Sequence, residues 1–262
     1  MEFLEKITKN PYADLYWNIP EERKIGRVAV IGGNGQSFRT PVKIAEYMIN
    51  KFPFETVKIV LPNSLEHKLP NFENLVFLNS TDTGSFGEDE KFTQIIEEVD
   101  TSLIIGDFSK NSITSKQLQK TLAESKKSVL ITRDTVDLII GGELEKILMH
   151  TSCTIMASIT QWQKVFRTVY YPKVLTPSQS LLQVAEAFHK FSLSYPVQMI
   201  GLHEGQILIA RNGRVVAVPL DKSGYSPLTV WSGELAGQIL ALNFYNPGKF
   251  VEASVSAVFF GA

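Results

Sequence analysis

The chain is predicted to fold as a doubly wound α/β sheet, because short apolar runs alternate with amphipathic helical patterns along most of its length. The runs are continuous rather than alternating, which is how parallel strands read when helices cover both faces of a sheet. They are Arg27 to Gly33, Thr56 to Pro62, Asn74 to Asn79, Ser102 to Asp107, Ser128 to Thr132, Thr154 to Ser158 and Val197 to Leu202. Such sheets bind ligands in the crevice outside the carboxyl ends of their strands.

The helical patterns between them are PVKIAEYMINKF, DEKFTQIIEEV, TSKQLQKTLAES and SQSLLQVAEAFHKF, with Pro41 in a first turn and Thr114 and Ser178 where N-caps belong. After Leu202 the rhythm changes. GQILIARNGRVVAVPL is a pair of strands about Asn212-Gly213, a hairpin signal, and the apolar segments LAGQILALNFYN and KFVEASVSAVFFGA follow as helices. No repeat or Pro/Ser-rich linker interrupts the order. A single domain over residues 1–262 is expected, with residues 1–25 as a helical extension.

The bulk numbers exclude several classes. Of 262 residues, 26 are Lys or Arg and 27 are Asp or Glu, so the electrostatic footprint of a nucleic-acid binder is missing. No apolar run approaches the ~20 residues of a membrane span. The single Cys153 lies in the apolar run CTIMASI and reads as a buried, inert thiol in a reducing compartment. With no signal-peptide pattern at the N-terminus, a cytoplasmic protein is expected. His67, His150, His189 and His203 show no ligand spacing, so no metal site is expected. Trp162 and Trp231 read as core, and the aromatic tail AVFFGA as packing in the core or against another subunit of a homo-oligomer.

Three stretches carry a likeness to known proteins. VAVIGGNGQSFRTPVKIAEYM is a strand, a glycine turn with Gly32, Gly33, Ser37 and Phe38, and a helix start. SLIIGDFSK ends a central strand at Gly106, and VLITRDTVDLI puts Asp134 where a second acid follows a strand. With the late hairpin, this layout resembles the ribokinase-like fold, and within it the ADP/ATP-dependent NAD(P)H-hydrate dehydratases. The resemblance covers about residues 26–262.

It implies a three-layer α/β/α sandwich that transfers a nucleotide phosphate to a hydroxyl, which in the dehydratases then leaves as phosphate. ATP or ADP with Mg²⁺ is the implied cofactor, and a small molecule such as NAD(P)H hydrate the implied substrate. Gly33, Asn34, Ser37, Phe38, Gly106 and Asp134 would line the substrate side. Ser232, Gly233, Gly237 and His203 would lie on the phosphate side, with Glu234 as the catalytic acid-base group. The sequence also departs from the pattern. MASITQWQK lacks the Thr-Pro-His and Glu of the family, and His203-Glu204 replaces a Lys-Gly.

Ser232-Gly233-Glu234 decides most. A helix N-terminus offers unpaired amides and a positive dipole end to a phosphate, and a carboxylate beside a hydroxyl can take its proton. The same residues also serve as a plain Ser cap with an acid in the first turn, worth ~1 kcal/mol. Two alignments stand: in one, Glu234 replaces the catalytic Asp; in the other, Gly233 takes its place and the carboxylate is lost. An active nucleotide-dependent enzyme and a catalytically silent relative kept for binding a ligand or a subunit are therefore both carried forward.

Overall fold

The computed structural model of the chain describes residues 3–69 and 74–260. A ten-stranded sheet runs through it in the order β1-β10-β9-β8-β7-β6-β5-β2-β3-β4. Its strands are β1 (Leu4–Lys6), β2 (Arg27–Gly32), β3 (Thr56–Pro62), β4 (Leu75–Leu78), β5 (Thr101–Gly106), β6 (Ser128–Thr132), β7 (Cys153–Ser158), β8 (Gln198–His203), β9 (Gln206–Arg211) and β10 (Arg214–Pro219). From β4 across to β8 every pairing is parallel; β8, β9 and β10 pair antiparallel; β1 returns parallel to β10.

Helices cover both faces. On one side α2 (Glu90–Glu98), α3 (Ser112–Glu124), α4 (Thr135–Ile139), α5 (Leu144–Leu148), α6 (Ile159–Thr168) and α7 (Leu181–Ser194) pack over Ile31, Ile104, Ile131 and Ile155. On the other, α1 (Arg39–Lys51), α8 (Glu234–Tyr245) and α9 (Phe250–Phe259) pack over Val30, Leu103, Leu130 and Met156. This is the mixed, mostly parallel α/β sandwich that the apolar runs predict. Helix α8 is apolar on nearly every side because it lies between the sheet, α1 and α9.

Local differences from the expectation have local causes. The N-cap of α3 is Asn111, whose Oδ1 accepts the Ile113 and Thr114 amides at 2.8 and 3.4 Å. The Thr114 hydroxyl, expected to cap, donates instead to the buried Phe86 carbonyl at 2.6 Å. Ser180, not Ser178, caps α7, because Gln183 Oε1 reaches back to the Ser180 amide at 3.0 Å. The expected helical extension contains β1 and a single 3₁₀ segment at Ala13–Asn18. Its first two residues, Met1 and Glu2, lie outside the described residues, as do Gly261 and Ala262 of the last helical segment.

Candidate functional site at the carboxyl edge of the sheet

Strand β2 has β3 on one side and β5 on the other, so the chain order reverses there and a crevice opens at the carboxyl ends. The turns after β2, β5 and β6 are tied together at this point. The Gly33 amide donates to the Gly106 carbonyl at 2.8 Å, and Asn34 Nδ2 donates to the Asp107 carbonyl. The Asp107 amide donates to Asp134 Oδ1 at 2.8 Å. Gly106 is required here: its φ is +91°, and a Cβ would fall onto the Asp134 carboxylate.

Two side-chain-bearing residues in these turns also have left-handed backbones, Asp107 at φ 60° and Arg133 at φ 59°. Each such residue costs about 1–3 kcal/mol and persists only where its surroundings hold it. What holds these is an ion pair between them. The Arg133 guanidinium meets the Asp107 carboxylate, and a second guanidinium nitrogen donates to Thr40 Oγ1 at 3.3 Å. The Asp107 side chain is 11% exposed and that of Arg133 26%, so this pair is far less screened than a surface one. Burial raises the Asp134 carboxyl above its ordinary value, against the opposing pull of the Asp107 amide.

Beside this cluster, Arg133, Asp137, Ser158, Thr160, Gln161 and Trp231 line a cleft of about 460 Å³. Its wall is the first turn of α6, where Ser158 and Gln161 form a capping box. Ser158 Oγ accepts the Gln161 amide at 3.2 Å, and Gln161 Oε1 accepts the Ser158 amide at 3.0 Å. Gln161 Nε2 then donates to the Arg133 carbonyl at 2.7 Å and to Asp137 Oδ2 at 2.9 Å. Trp231 stands just before α8, and the Arg133 guanidinium, the Asp137 carboxylate and the capped first turn of α6 give the cleft its polar groups.

The expected site residues divide. Gly33, Asn34, Gly106 and Asp134 are brought together at the strand ends, and Ser37 closes the turn by donating its amide to Asn34 Oδ1 at 3.1 Å. Phe38 precedes α1 and packs against the α1–α8–α9 core. Gly233 begins α8 at φ +103°, and a Cβ there would sit 2.9 Å from both Ile44 Cγ1 and Ile105 Cδ1. The Ser232 hydroxyl accepts the Glu234 amide at a long 3.4 Å. Gly237 is buried against Met48 of α1. The His203 ring is 6% exposed, and its Nε2 is engaged with the Gln179 carbonyl at 2.7 Å.

Glu234 does not line the cleft. Its carboxylate is 3.1 Å from Lys43 Nζ of α1, in a recess of about 260 Å³ shared with Tyr47, Lys51, Tyr225 and Gln238. The two recesses have no lining residue in common.

Sequence reasoning placed Arg133-Asp134 at the edge favoured for ligands, as a local ion pair or cap, but missed Asp137 as the carboxylate of the cleft and Ser158, Thr160 and Gln161 as its wall. The last had a signal: Ser158-x-x-Gln161 before an apolar run is a helix start, and it sits in the stretch that departs from the family pattern. The larger recess of about 1150 Å³, between α2 and α3, is lined mostly by surface Lys, Glu and Gln side chains, with Asn79 after edge strand β4 at its rim. Among the described residues no cluster of His, Cys, Asp or Glu forms a metal site, and no helix is long and apolar enough to cross a membrane.

No family model matches the chain, and no curated protein matches it in sequence. Solved structures do match it in shape. A ribokinase-like superfamily protein from Enterococcus faecalis superposes with a TM-score of 0.68 at 17% identity, over 99% of this chain and 86% of that one. The ADP/ATP-dependent NAD(P)H-hydrate dehydratase of Bacillus subtilis, co-crystallised with ATP and Mg²⁺, gives 0.54 at 10% identity, over 99% and 87%. Bacillus subtilis pyridoxal kinase, in an ADP complex, gives 0.52 at 11% identity, over 89% of each chain. With the sheet order and the strand-end crevice already described, these likenesses fix the architecture: the chain has the ribokinase-like fold.

Proposed function

We propose that the chain binds a nucleotide, or a phosphorylated small molecule of similar size, in the Arg133–Trp231 cleft, and does so without Glu234 acting as a catalytic base. The observation that carries this reading is the separation of the two groups. The guanidinium and the α6 N-terminus face one recess, whereas the Glu234 carboxylate is paired with Lys43 in another. Neighbours of the same fold that take ATP or ADP support the ligand class. Mg²⁺ would arrive on the ligand's phosphates, since such ions need few protein carboxylates. The lone, buried Cys153 fits a reducing, cytoplasmic setting.

In this reading the chain's own residues do three things. The first turn of α6 faces the phosphates, Arg133 offsets their charge, and Trp231 covers the cleft from one side. A second reading keeps phosphoryl transfer and assigns the carboxylate to Asp137, which lines the cleft beside Arg133 although it too is ion-paired, with Lys164 Nζ at 2.5 Å.

Isothermal titration with Mg-ATP and Mg-ADP tests the proposal. Binding is expected and should weaken about tenfold in Arg133→Gln, a change of ~1.4 kcal/mol. No heat with either nucleotide up to ~1 mM, the equivalent of about −4 kcal/mol, would overturn it. Hydrated NADH should persist in the presence of the protein and Mg-ATP. Turnover that survives Glu234→Gln but not Asp137→Asn would favour the second reading.

A further inference from the structure

The opposite edge of the sheet holds a second polar recess, of about 350 Å³, at the amino ends of β5 to β8 and the carboxyl end of antiparallel β9. Thr101, Ser128, Thr154, Gln198 and Arg211 form a polar row across these five adjacent strands, two residues beyond Leu103, Leu130, Met156, Ile200 and Ile209 and so on the same face toward α8 and α9. Strand register sets the row: Thr101 pairs with Ser128, and Thr154 with Gln198. Ile239, Leu240 and Phe244 of α8 and Phe250 of α9 form the roof.

The charge balance of this recess is uneven. Arg211 is its sole charged lining residue, and no carboxylate among the described residues pairs with it. Its Nε is buried with no hydrogen-bond partner. The neighbouring groups are committed to each other instead. Thr154 Oγ1 donates to Gln198 Oε1 at 2.6 Å, Gln198 Nε2 donates to the Thr151 carbonyl at 3.1 Å, and Thr101 donates to Ser128 Oγ at 3.2 Å. A half-buried guanidinium without a counter-ion is costly, and a planar fork of donors fits an oxyanion. The volume lies at the small end of the range for small-molecule sites.

We infer that this recess is a binding site for a small oxyanion-bearing molecule, a phosphate or carboxylate, held by the Arg211 guanidinium with the Ser128 hydroxyl free to donate beside it. It is separate from the cleft at the carboxyl edge and does not depend on the reading of that cleft.

Thermal unfolding with sodium phosphate or sodium succinate, against sodium chloride at equal ionic strength, tests the site. The wild-type midpoint should rise with at least one of these anions, and which one identifies the headgroup. Measured in an Arg133→Gln background, which removes the cation of the cleft at the other edge, the rise should persist, should survive a further Arg211→Lys change and should vanish on adding Arg211→Gln. In that background a rise unchanged by Arg211→Gln, or none with either anion, overturns the proposal. Should Arg211→Gln fail to fold, phenylglyoxal labelling of wild-type protein gives the same answer: the anion that binds must protect Arg211, and absence of protection with both anions overturns the site.

Discussion

Asp134 accepts the backbone amide of Asp107 at 2.8 Å, so a half-buried carboxylate holds the turn after β6 to the turn after β5. Its pKa is raised by burial, and this fixes the sign of a pH effect. A carboxyl that holds its proton more tightly in the folded protein favours folding most below its unfolded value of about 4, and that contribution is lost as pH rises through the folded value. Asp134→Asn keeps an acceptor oxygen for the Asp107 amide but cannot titrate. Wild type should therefore gain stability relative to Asp134→Asn between pH 7.5 and pH 4.5. Urea unfolding midpoints of the two proteins at both pH values measure this; a constant difference would show that Asp134 is not the group responsible.

Gly233→Ala should destabilise the protein by about 1–3 kcal/mol, from the left-handed backbone and the overpacking of Ile44 and Ile105. Denaturant unfolding reads the loss directly. The same geometry means that Gly233→Asp disturbs folding as well as any phosphate nearby, so ligand titrations are better made with Arg133→Gln.

Removing the Glu234 charge should do little. Lys43 is 66% exposed and Glu234 35%, and such pairs contribute about 0–1 kcal/mol. Glu234→Gln and Lys43→Ala are expected to unfold within ~1 kcal/mol of wild type and to bind nucleotide equally well. A tenfold loss of affinity in Glu234→Gln would return that carboxylate to the ligand.

Trp162 is fully buried, stacks edge-on against Phe166, Phe188 and Phe191, and donates its indole N–H to the Ile200 carbonyl at 2.9 Å. Trp162→Ala should cost about 3–5 kcal/mol in chemical denaturation. Trp162→Phe should recover part of that, but not the bond to Ile200.

The Cys153 thiol is wholly buried, which pushes its pKa up to about 12. A thiol reagent at pH 8 should leave the native protein unlabelled and react stoichiometrically once it is unfolded in guanidinium. Prompt native labelling would mean that β7 opens locally.

The sheet was legible because its strands are short, continuous apolar runs, and the hairpin because Asn212 and Gly213 both take the positive φ that such a turn needs. Helix starts were harder to read. Thr114 and Ser178 have the right chemistry to cap, but the choice among neighbouring polar residues rests on contacts made elsewhere, such as Phe86 for Thr114. The strand-end cluster was half visible. Gly33, Gly106 and Asp134 mark it by position, yet nothing local to Arg133 shows that its partner is Asp107, a strand away. The surroundings of Glu234 were hidden for a related reason: adjacency to a helix start does not say which side of the helix the carboxylate faces, and Lys43 on α1 lies far from it in the sequence.

The short strand β1 pairs along Val215 to Ala217 of β10, whereas Arg27, only a few turns of chain later, lies on β2 deep in the sheet. As the chain leaves a ribosome, β1 thus waits for its partner strand until more than 200 residues have followed it, and for α7, on which it also packs, nearly as long. Closing so long a loop is slow, and it yields only an edge strand of three residues. The rest of the sheet can assemble beforehand. The N-terminal segment then acts as a late clasp on a finished body, and its amides should be among the first to exchange with solvent when the native protein breathes.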